Sequence, residues 1–592
     1  MRYVLLLLFS LPVLLFAQTG RVVDSKSGQP LPYASIGLKG SAYGTISNED
    51  GFFRINFGEK GDTLVFSFLG YESMEIVFED LPDVVKLTRK SLELTTFTVS
   101  ADSDPYFDIL AKCRKELKKN TRHKCRAYLE MHTDVLNTPG EVIEMYYNAD
   151  VRSANLYSLV YKSGRQGLAK IDNSYFLSLS TTGIFQRFKP VEGDYNMPTN
   201  PLELSKGKMK KTYRLSLLSS GDDDPYFHIL FEPRADPQKT FSGEIWVDKE
   251  TYRPIEIKLH IESALVKPFV PIFPSDSLVD IEMNITQRFE SFQGDLVPSL
   301  LRFDYAFDSY IPIDKTKPIG KSNLKKIKPV RSDGILYYYK YGKPFINPVF
   351  EYNGELNDYQ KIQNTPYHQA FWDLSSALVQ SERMEESLAF FEKHGLLNNH
   401  SSQVDDFLFD GMGSNMDHTN PFWSDIFRLR FDEDFKKNLE AQQIDSRYVV
   451  PDRARYELDV EIFLDIVQTE DTLVYYTETV FDIFQSFYNL PSDSLTNPFV
   501  NIYFDLAEIE RREMIEKIEA LHELSPEAIL SIHEKGMEKL KSEWEVYLDQ
   551  TGSGSSYGEL LKYNELVKEE LGIDNFEIFH VKDPVGMGKR IE

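Results

Sequence analysis

The sequence predicts a multidomain chain that runs from β to α+β. It comprises an N-terminal β-sandwich of the seven-stranded type, a middle curved antiparallel sheet with a helix, and a mainly α-helical C-terminal region. Three observations carry this. Between Gly20 and Tyr71, short β-branched and aromatic segments are divided at strand-like intervals by Gly28-Gln29-Pro30, Gly40, Gly44, Asn48 to Gly51, Gly61-Asp62 and Gly70. From Cys125 to Tyr305, long alternating segments follow one another across short connections. Beyond Pro348 the apolar spacing turns helical. With 592 residues the chain has room for several cores. The expected division is residues 1–17, 18–101, 102–347 and 348–592.

Residues 1–17 read as a secretory signal peptide. Arg2 supplies a positive charge, Tyr3 to Phe16 is almost wholly apolar, and Ala17 is a small residue before the expected cleavage at Gln18. The apolar run is short for a membrane span, and no later segment reaches the ~18 apolar residues one needs. No transmembrane segment is therefore expected after the leader is removed. Lipidation is not expected either, because Ala17, Gln18 and Thr19 stand where a cysteine would be required.

Residues 18–101 carry a dense order of motifs: Gly20, Val22 and Asp24; Pro30-Leu31-Pro32; Ala34-Ser35-Ile36; Gly44-Thr45; Asn48; Gly51-Phe52-Phe53; Asp62-Thr63-Leu64; Phe66-Ser67; and Gly70-Tyr71. Gly44 and Gly51 suit turns of positive φ, and Ile36, Phe53 and Val65 alternate with smaller or polar neighbours as half-buried strands do. This pattern resembles the carboxypeptidase regulatory-like domain, a small transthyretin-like sandwich. The resemblance implies a cell-envelope protein of the kind found in Bacteroidetes, where such domains commonly precede outer-membrane receptors of the SusC/TonB-dependent type. It does not extend to peptidase chemistry. The zinc carboxypeptidases need a HxxE pair, and none of the 11 histidines has Glu three positions on.

The middle region opens with a helix predicted from Asp104 to Lys119, on the spacing of Phe107, Leu110, Ala111, Arg114 and Leu117. Strands are predicted at 125–135, 142–151, 157–161, 213–218, 226–231, 241–248, 255–261, 278–289 and 296–305. The segment Phe241 to Leu259, a strand ending in Asp248 followed by a tight turn and a second alternating strand, is similar to the hairpin of lipoprotein-carrier (LolA-like) half-barrels. That likeness implies an apolar groove for an acyl chain, with Ile245, Trp246, Ile257 and Leu259 as candidate lining. The alternative is that these side chains fill a core. Cys113 and Cys125, the two cysteines of the chain, could form a disulfide between the helix and the following strand, or remain separate buried thiols.

In the C-terminal region, helices are predicted at 368–381, 384–393, 500–522, 526–550 and 557–571. Ser525-Pro526-Glu527 is a start signal with Ser as N-cap and Pro at the first turn. The segments 456–466 and 473–483 read equally as strand or helix. Nothing here repeats the ~10-residue alternation of a membrane barrel, and the chain ends in Lys589-Arg590-Ile591-Glu592 rather than an aromatic residue.

No catalytic, cofactor or metal site is legible. His522-Glu523 and His533-Glu534 lack the HExxH spacing and read as exposed helix charges, as does Glu510 to Glu513. The acidic run Asp222 to Asp224 reads as a solvated turn, and the loop Phe409 to His418 lacks the spacing of a calcium hand. The 41 Phe and 33 Tyr fit strand cores without a ligand. A net charge of −26 disfavours nucleic acid. The readings converge on a non-catalytic binding or scaffolding protein of the periplasm or outer membrane. Its expected partner is an envelope protein or a lipid or lipoprotein. A carrier using the half-barrel, and an extracytoplasmic hydrolase with an unrecognised carboxylate site, are the alternatives.

Overall fold

A computed structural model describes residues 18–41, 44–90, 104–119, 121–153, 155–171, 174–175, 181–219, 224–269, 277–312, 324–350, 358–394, 397–398, 421–426, 428–430, 456–469, 472–488 and 493–582. The leader, residues 222–223 of the acidic turn and the loop 409–418 lie outside them.

Seven strands build the N-terminal sandwich: β1 (Gln18–Asp24), β2 (Ser35–Leu38), β3 (Gly44–Ile46), β4 (Phe52–Ile55), β5 (Thr63–Ser67), β6 (Met74–Val77) and β7 (Val84–Leu87). They form two sheets, β4-β1-β7 and β3-β2-β5-β6. Alternation drives Val22, Ile36, Phe53, Leu64, Phe66 and Leu87 into the space between them. Phe53 meets Phe66 edge to face at 5.4 Å. Gly51 has φ +80°, and a Cβ there would come 2.5 Å from the Val22 carbonyl oxygen, so only glycine fits. Gly44 departs from expectation. It sits in strand β3, where a Cβ would crowd the Ile36 carbonyl oxygen at 3.0 Å, so close packing rather than positive φ calls for it.

The middle region is one large antiparallel sheet. Its strands are β8 (Arg122–Val135), β9 (Thr138–Arg152), β10 (Asn155–Leu168), β13 (Tyr213–Ser219), β14 (Tyr226–Pro233), β15 (Ser242–Asp248), β16 (Pro254–Ile261), β17 (Ser277–Phe292), β18 (Asp295–Pro312), β19 (Leu324–Tyr339) and β20 (Leu397–Asn398); β11 (Lys170–Ile171) and β12 (Ser174–Tyr175) pair apart. The order is β13-β14-β15-β16-β17-β18-β19-β8-β9-β10-β20. The helices α1 (Asp104–Leu117), α2 (Thr181–Arg187) and α3 (Lys206–Thr212) lie on its inner face. There Phe107, Leu110 and Leu117 pack with Leu129, Met131, Met145 and Met283 in one buried core.

The outer face is covered as well. Of the next three helices, α4 (Asp358–Gln363) sends Tyr359 and Ile362 into the inner core, whereas α5 (Gln369–Leu374) and α6 (Glu382–Lys393) cover the outer face beside β9 and β10. Strand β9 is consequently buried on both faces through most of its length, like a strand in a covered parallel sheet. The helix expected over 368–381 is confined to α5, because after Leu374 the chain leaves helical geometry at Ser375.

The segments that read equally as strand or helix are strands: β21 (Tyr456–Gln468) and β22 (Leu473–Tyr488) form a hairpin. A Thr turn closes it, with the Thr472 amide donating to Thr469 Oγ1 at 3.0 Å. Four helices follow, α7 (Thr496–Glu519), α8 (Pro526–Gln550), α9 (Tyr557–Leu571) and α10 (Asn575–Ile578). Ser525 caps α8 as expected, accepting from the Ala528 amide at 3.2 Å. Among the described residues no helix is long and apolar enough to cross a membrane, which says nothing of strands.

Candidate functional site at the junction of the modules

The four candidate groove residues do not share a face. Strand periodicity places Ile245, Ile257 and Leu259 inward and Trp246 outward. The three inward side chains are 1%, 2% and 2% exposed and belong to the apolar core. The predicted groove is therefore closed at these positions. Trp246 is half-buried on the outer face, stacked on His228 at 3.7 Å with the Lys258 ammonium 4.7 Å from its ring.

Cys113 and Cys125 are free, buried thiols, the second of the two alternatives the sequence left open. Both are buried in the inner core among apolar side chains, and Cys125 is engaged by the Tyr341 hydroxyl. Burial pushes both thiols well above the ordinary cysteine range, so neither is poised as a nucleophile. Glu203, on the turn before α3, is the carboxyl most clearly displaced on that side. Burial pushes it up to about 7, against a hydrogen bond from Thr199.

The chemistry-bearing side chains collect instead on the outer face, where three parts of the chain meet. Ile46 of the sandwich packs with Tyr128, Tyr146, Ile335 and Tyr337 of the sheet, with Phe345, Phe371 and Trp372, and with Val467 of the β21–β22 hairpin. Tyr146 is the hub, edge-on to Phe371 at 5.1 Å and to Trp372 at 5.3 Å. Polar clasps surround this aromatic core. Asn48 Nδ2 donates to the Gln380 carbonyl at 3.1 Å, and Asp50 accepts from the Glu382 amide at 2.8 Å. Arg288 bridges Glu256 and the Tyr33 carbonyl.

Two buried ionic groups lie within the junction. Glu130 and Glu144 face each other across β8 and β9, joined by the Tyr128 hydroxyl at 2.9 and 2.8 Å. His132 engages Glu130 at 3.0 Å, and Arg165 donates to Glu144 at 2.7 Å. Burial raises the Glu144 pKa, with the Arg165 charge opposing. Paired carboxylates could serve acid–base catalysis, yet here each is occupied by neighbouring side chains. Farther along, Lys162 pairs with Asp465 of the hairpin and donates to the Ile346 carbonyl at 2.7 Å. Its side chain is 1% exposed, and burial lowers its pKa.

Beside this junction a small cleft of about 40 Å³ opens. The sandwich contributes Thr45, Arg54 and Asn56, the sheet contributes Arg126, Tyr339 and Lys340, and the chain after α5 contributes Ser375 and Ser376. The Arg126 guanidinium lies 4.0 Å from the Phe345 ring, and its Nε donates to the Lys343 carbonyl at 3.0 Å. Sequence reasoning singled out none of these residues. They come from three distant segments, and each alone reads as an ordinary surface position.

Of the helix charges read as exposed, Arg512, His522, Glu523 and Glu534 are exposed, whereas Glu510 and His533 are buried. His533 is buried, its Nε2 2.6 Å from the Ile462 carbonyl of β21, and burial lowers its pKa. Glu508 is fully buried and accepts from Thr479, Arg511 and Arg512, while Glu510 takes Lys539 at 2.6 Å. Helical spacing cannot tell water from a packed hairpin, and here the hairpin covers that face of α7 and α8.

The sandwich settles one identity. Residues 18–99 match the carboxypeptidase regulatory-like domain family. No curated protein matches the chain. Among solved structures, a LolA superfamily protein from Nitrosomonas europaea is 12% identical, covering 40% of this chain and 91% of its own, with a TM-score of 0.16. A DUF1329 family protein from Desulfovibrio piger is 11% identical over 45% and 96%, with a TM-score of 0.17. The Pseudomonas aeruginosa MucA/MucB complex gives 11% identity over 39% and 93%, with a TM-score of 0.16.

Proposed function

We propose that the chain is a non-catalytic binding or scaffolding protein of the cell envelope, exported to the periplasm or held peripherally at the outer membrane. One observation carries this reading: the large sheet is covered on both faces by its own chain. Its inner face is filled by α1 to α4 and apolar side chains, and its outer face is clasped by the regulatory-like module, α5, α6 and the hairpin. Such a sheet serves as a frame that fixes several surfaces relative to one another. The engagement of Glu130 and Glu144 by Tyr128, His132 and Arg165 supports a structural role for the carboxylates. Export rests on the leader read in residues 1–17.

The test is affinity purification of the mature chain from its native envelope in mild detergent, with mass spectrometry of co-purifying proteins and lipids. One dominant protein partner without lipid supports the scaffold. Stoichiometric acyl lipid overturns it in favour of a carrier, and recovery of neither turns attention to a hydrolase.

A further inference from the structure

The cleft beside the junction has a charge character opposite to the rest of the molecule. The chain carries 92 acidic residues against 66 basic ones. Yet the three charged side chains that line this cleft, Arg54, Arg126 and Lys340, are all basic, and no Asp or Glu lines it. Arg126 is the most telling. Three half-buried arginines of the sheet are matched to carboxylates, Arg165 to Glu144, Arg288 to Glu256 and Arg302 to Asp304, whereas Arg152 lies over the Tyr157 ring instead. Arg126 has no carboxylate partner among the described residues. Among the described residues its hydrogen bond is from Nε to the Lys343 carbonyl, and it stacks on Phe345. Its terminal N–H groups have no partner there and can meet a ligand. Burial lowers its pKa, with only the Tyr339 phenol acting in the other direction. A guanidinium held out of water without a counter-ion is costly unless an anion meets it.

The neutral lining agrees. Thr45, Asn56, Ser375 and Ser376 supply hydroxyl and amide donors, and the buried Tyr339 hydroxyl has no hydrogen-bond partner. At about 10–15 Å³ of such volume per water, the 40 Å³ cleft has room for a group the size of one tetrahedral oxyanion.

From these observations we infer that the cleft of Arg54, Arg126 and Lys340 binds a phosphate group across the boundary between the regulatory-like module and the sheet. The group is either free phosphate or the terminal monoester of a lipid headgroup, since both present the same oxygens to an arginine fork. The overall negative charge does not prevent this, because screening confines distant charges to about 8 Å at physiological salt. This site does not depend on the scaffold reading, since a carrier or an enzyme could equally hold it.

The test uses the purified mature chain and two probes. Inorganic phosphate is titrated calorimetrically at fixed ionic strength, and phosphatidylcholine vesicles with or without phosphatidic acid are co-sedimented with the protein. Arg126→Gln and the exposed Arg54→Gln are compared with wild type, and Arg126→Lys tests whether charge or the fork matters. Saturable phosphate binding that weakens about tenfold or more in both Gln variants supports the site with a soluble ligand. Phosphatidic-acid-dependent sedimentation lost in the same variants, without free-phosphate binding, supports it with a headgroup. Binding unchanged in the folded Arg54→Gln and Arg126→Gln proteins, or no response to either probe, overturns it.

Discussion

The two faces of the large sheet are built from the same strands and held by different physics. On the inner face Ile245, Ile257 and Leu259 belong to one large apolar core with the helix side chains. On the outer face the alternate positions of the same strands carry Trp246, Glu256, Glu130 and Glu144, and contacts there are stacked rings, ion pairs and hydrogen bonds to other modules. Hydrophobic burial is non-directional and tolerates several arrangements, whereas directed polar contacts fix which surface docks where. The inner face supplies stability and the outer face supplies position.

The largest effect that would test this contrast is at the buried ion pair. Asp465→Ala leaves the Lys162 ammonium without its counter-ion, and urea unfolding should show a loss of about 3–5 kcal/mol. Lys162→Met combined with Asp465→Leu should recover most of it. A loss below about 1 kcal/mol, the range of exposed pairs, would mean that water reaches the pair. Next comes Ile245→Ala on the inner face, with an expected cost of about 2–5 kcal/mol. The adjacent Trp246→Ala should cost about 1 kcal/mol, because the ring is half-exposed and loses mainly its contacts with His228 and Lys258. Equal costs at these neighbouring positions would break the two-face description.

A smaller effect concerns pH. The Glu203 carboxyl, pushed up to about 7 in the folded chain, ionises near 4.3 when unfolded. The folded state therefore holds a proton that the unfolded state has lost, and its stabilising contribution fades as pH rises through that window. Unfolding of Glu203→Gln from about pH 4.5 to 7 should lack that decline, the difference in slope staying below about 1.4 kcal/mol per pH unit because the group is half-buried. The smallest expected effect is at the cysteines. Dithionitrobenzoate should find no reactive thiol in the native chain and 2 after denaturation without reductant. A disulfide would leave none in either state.

Legibility followed the range of the interactions involved. The sandwich was readable because its turns are specified by neighbouring residues, Gly51 before Phe52-Phe53 among them. The spans of α8 and α9 were readable from Ser525-Pro526 and the Gly-Ser run at 552–556, which are local signals. The hairpin of β21 and β22 was not, because strands buried on both faces lose the period of two that would identify them. Glu510, in the Glu510 to Glu513 stretch, looked solvated for the related reason that charge spacing along a helix carries no record of what packs against it. The sequence left disulfide and separate thiols both open because two nearby cysteines in sequence say nothing about which way their side chains point.

The sequence by itself determined the regulatory-like module, the alternation of its strands and the Ser525 cap of α8, since all of these depend on residues a few positions apart. Only the tertiary structure decided that Trp246 parts company with Ile245, Ile257 and Leu259, that Lys162 meets Asp465, and that Arg54, Arg126 and Lys340 line one cleft. Those meetings depend on sheet order and on how separately folded surfaces dock, which are long-range properties of the folded chain and leave no local pattern.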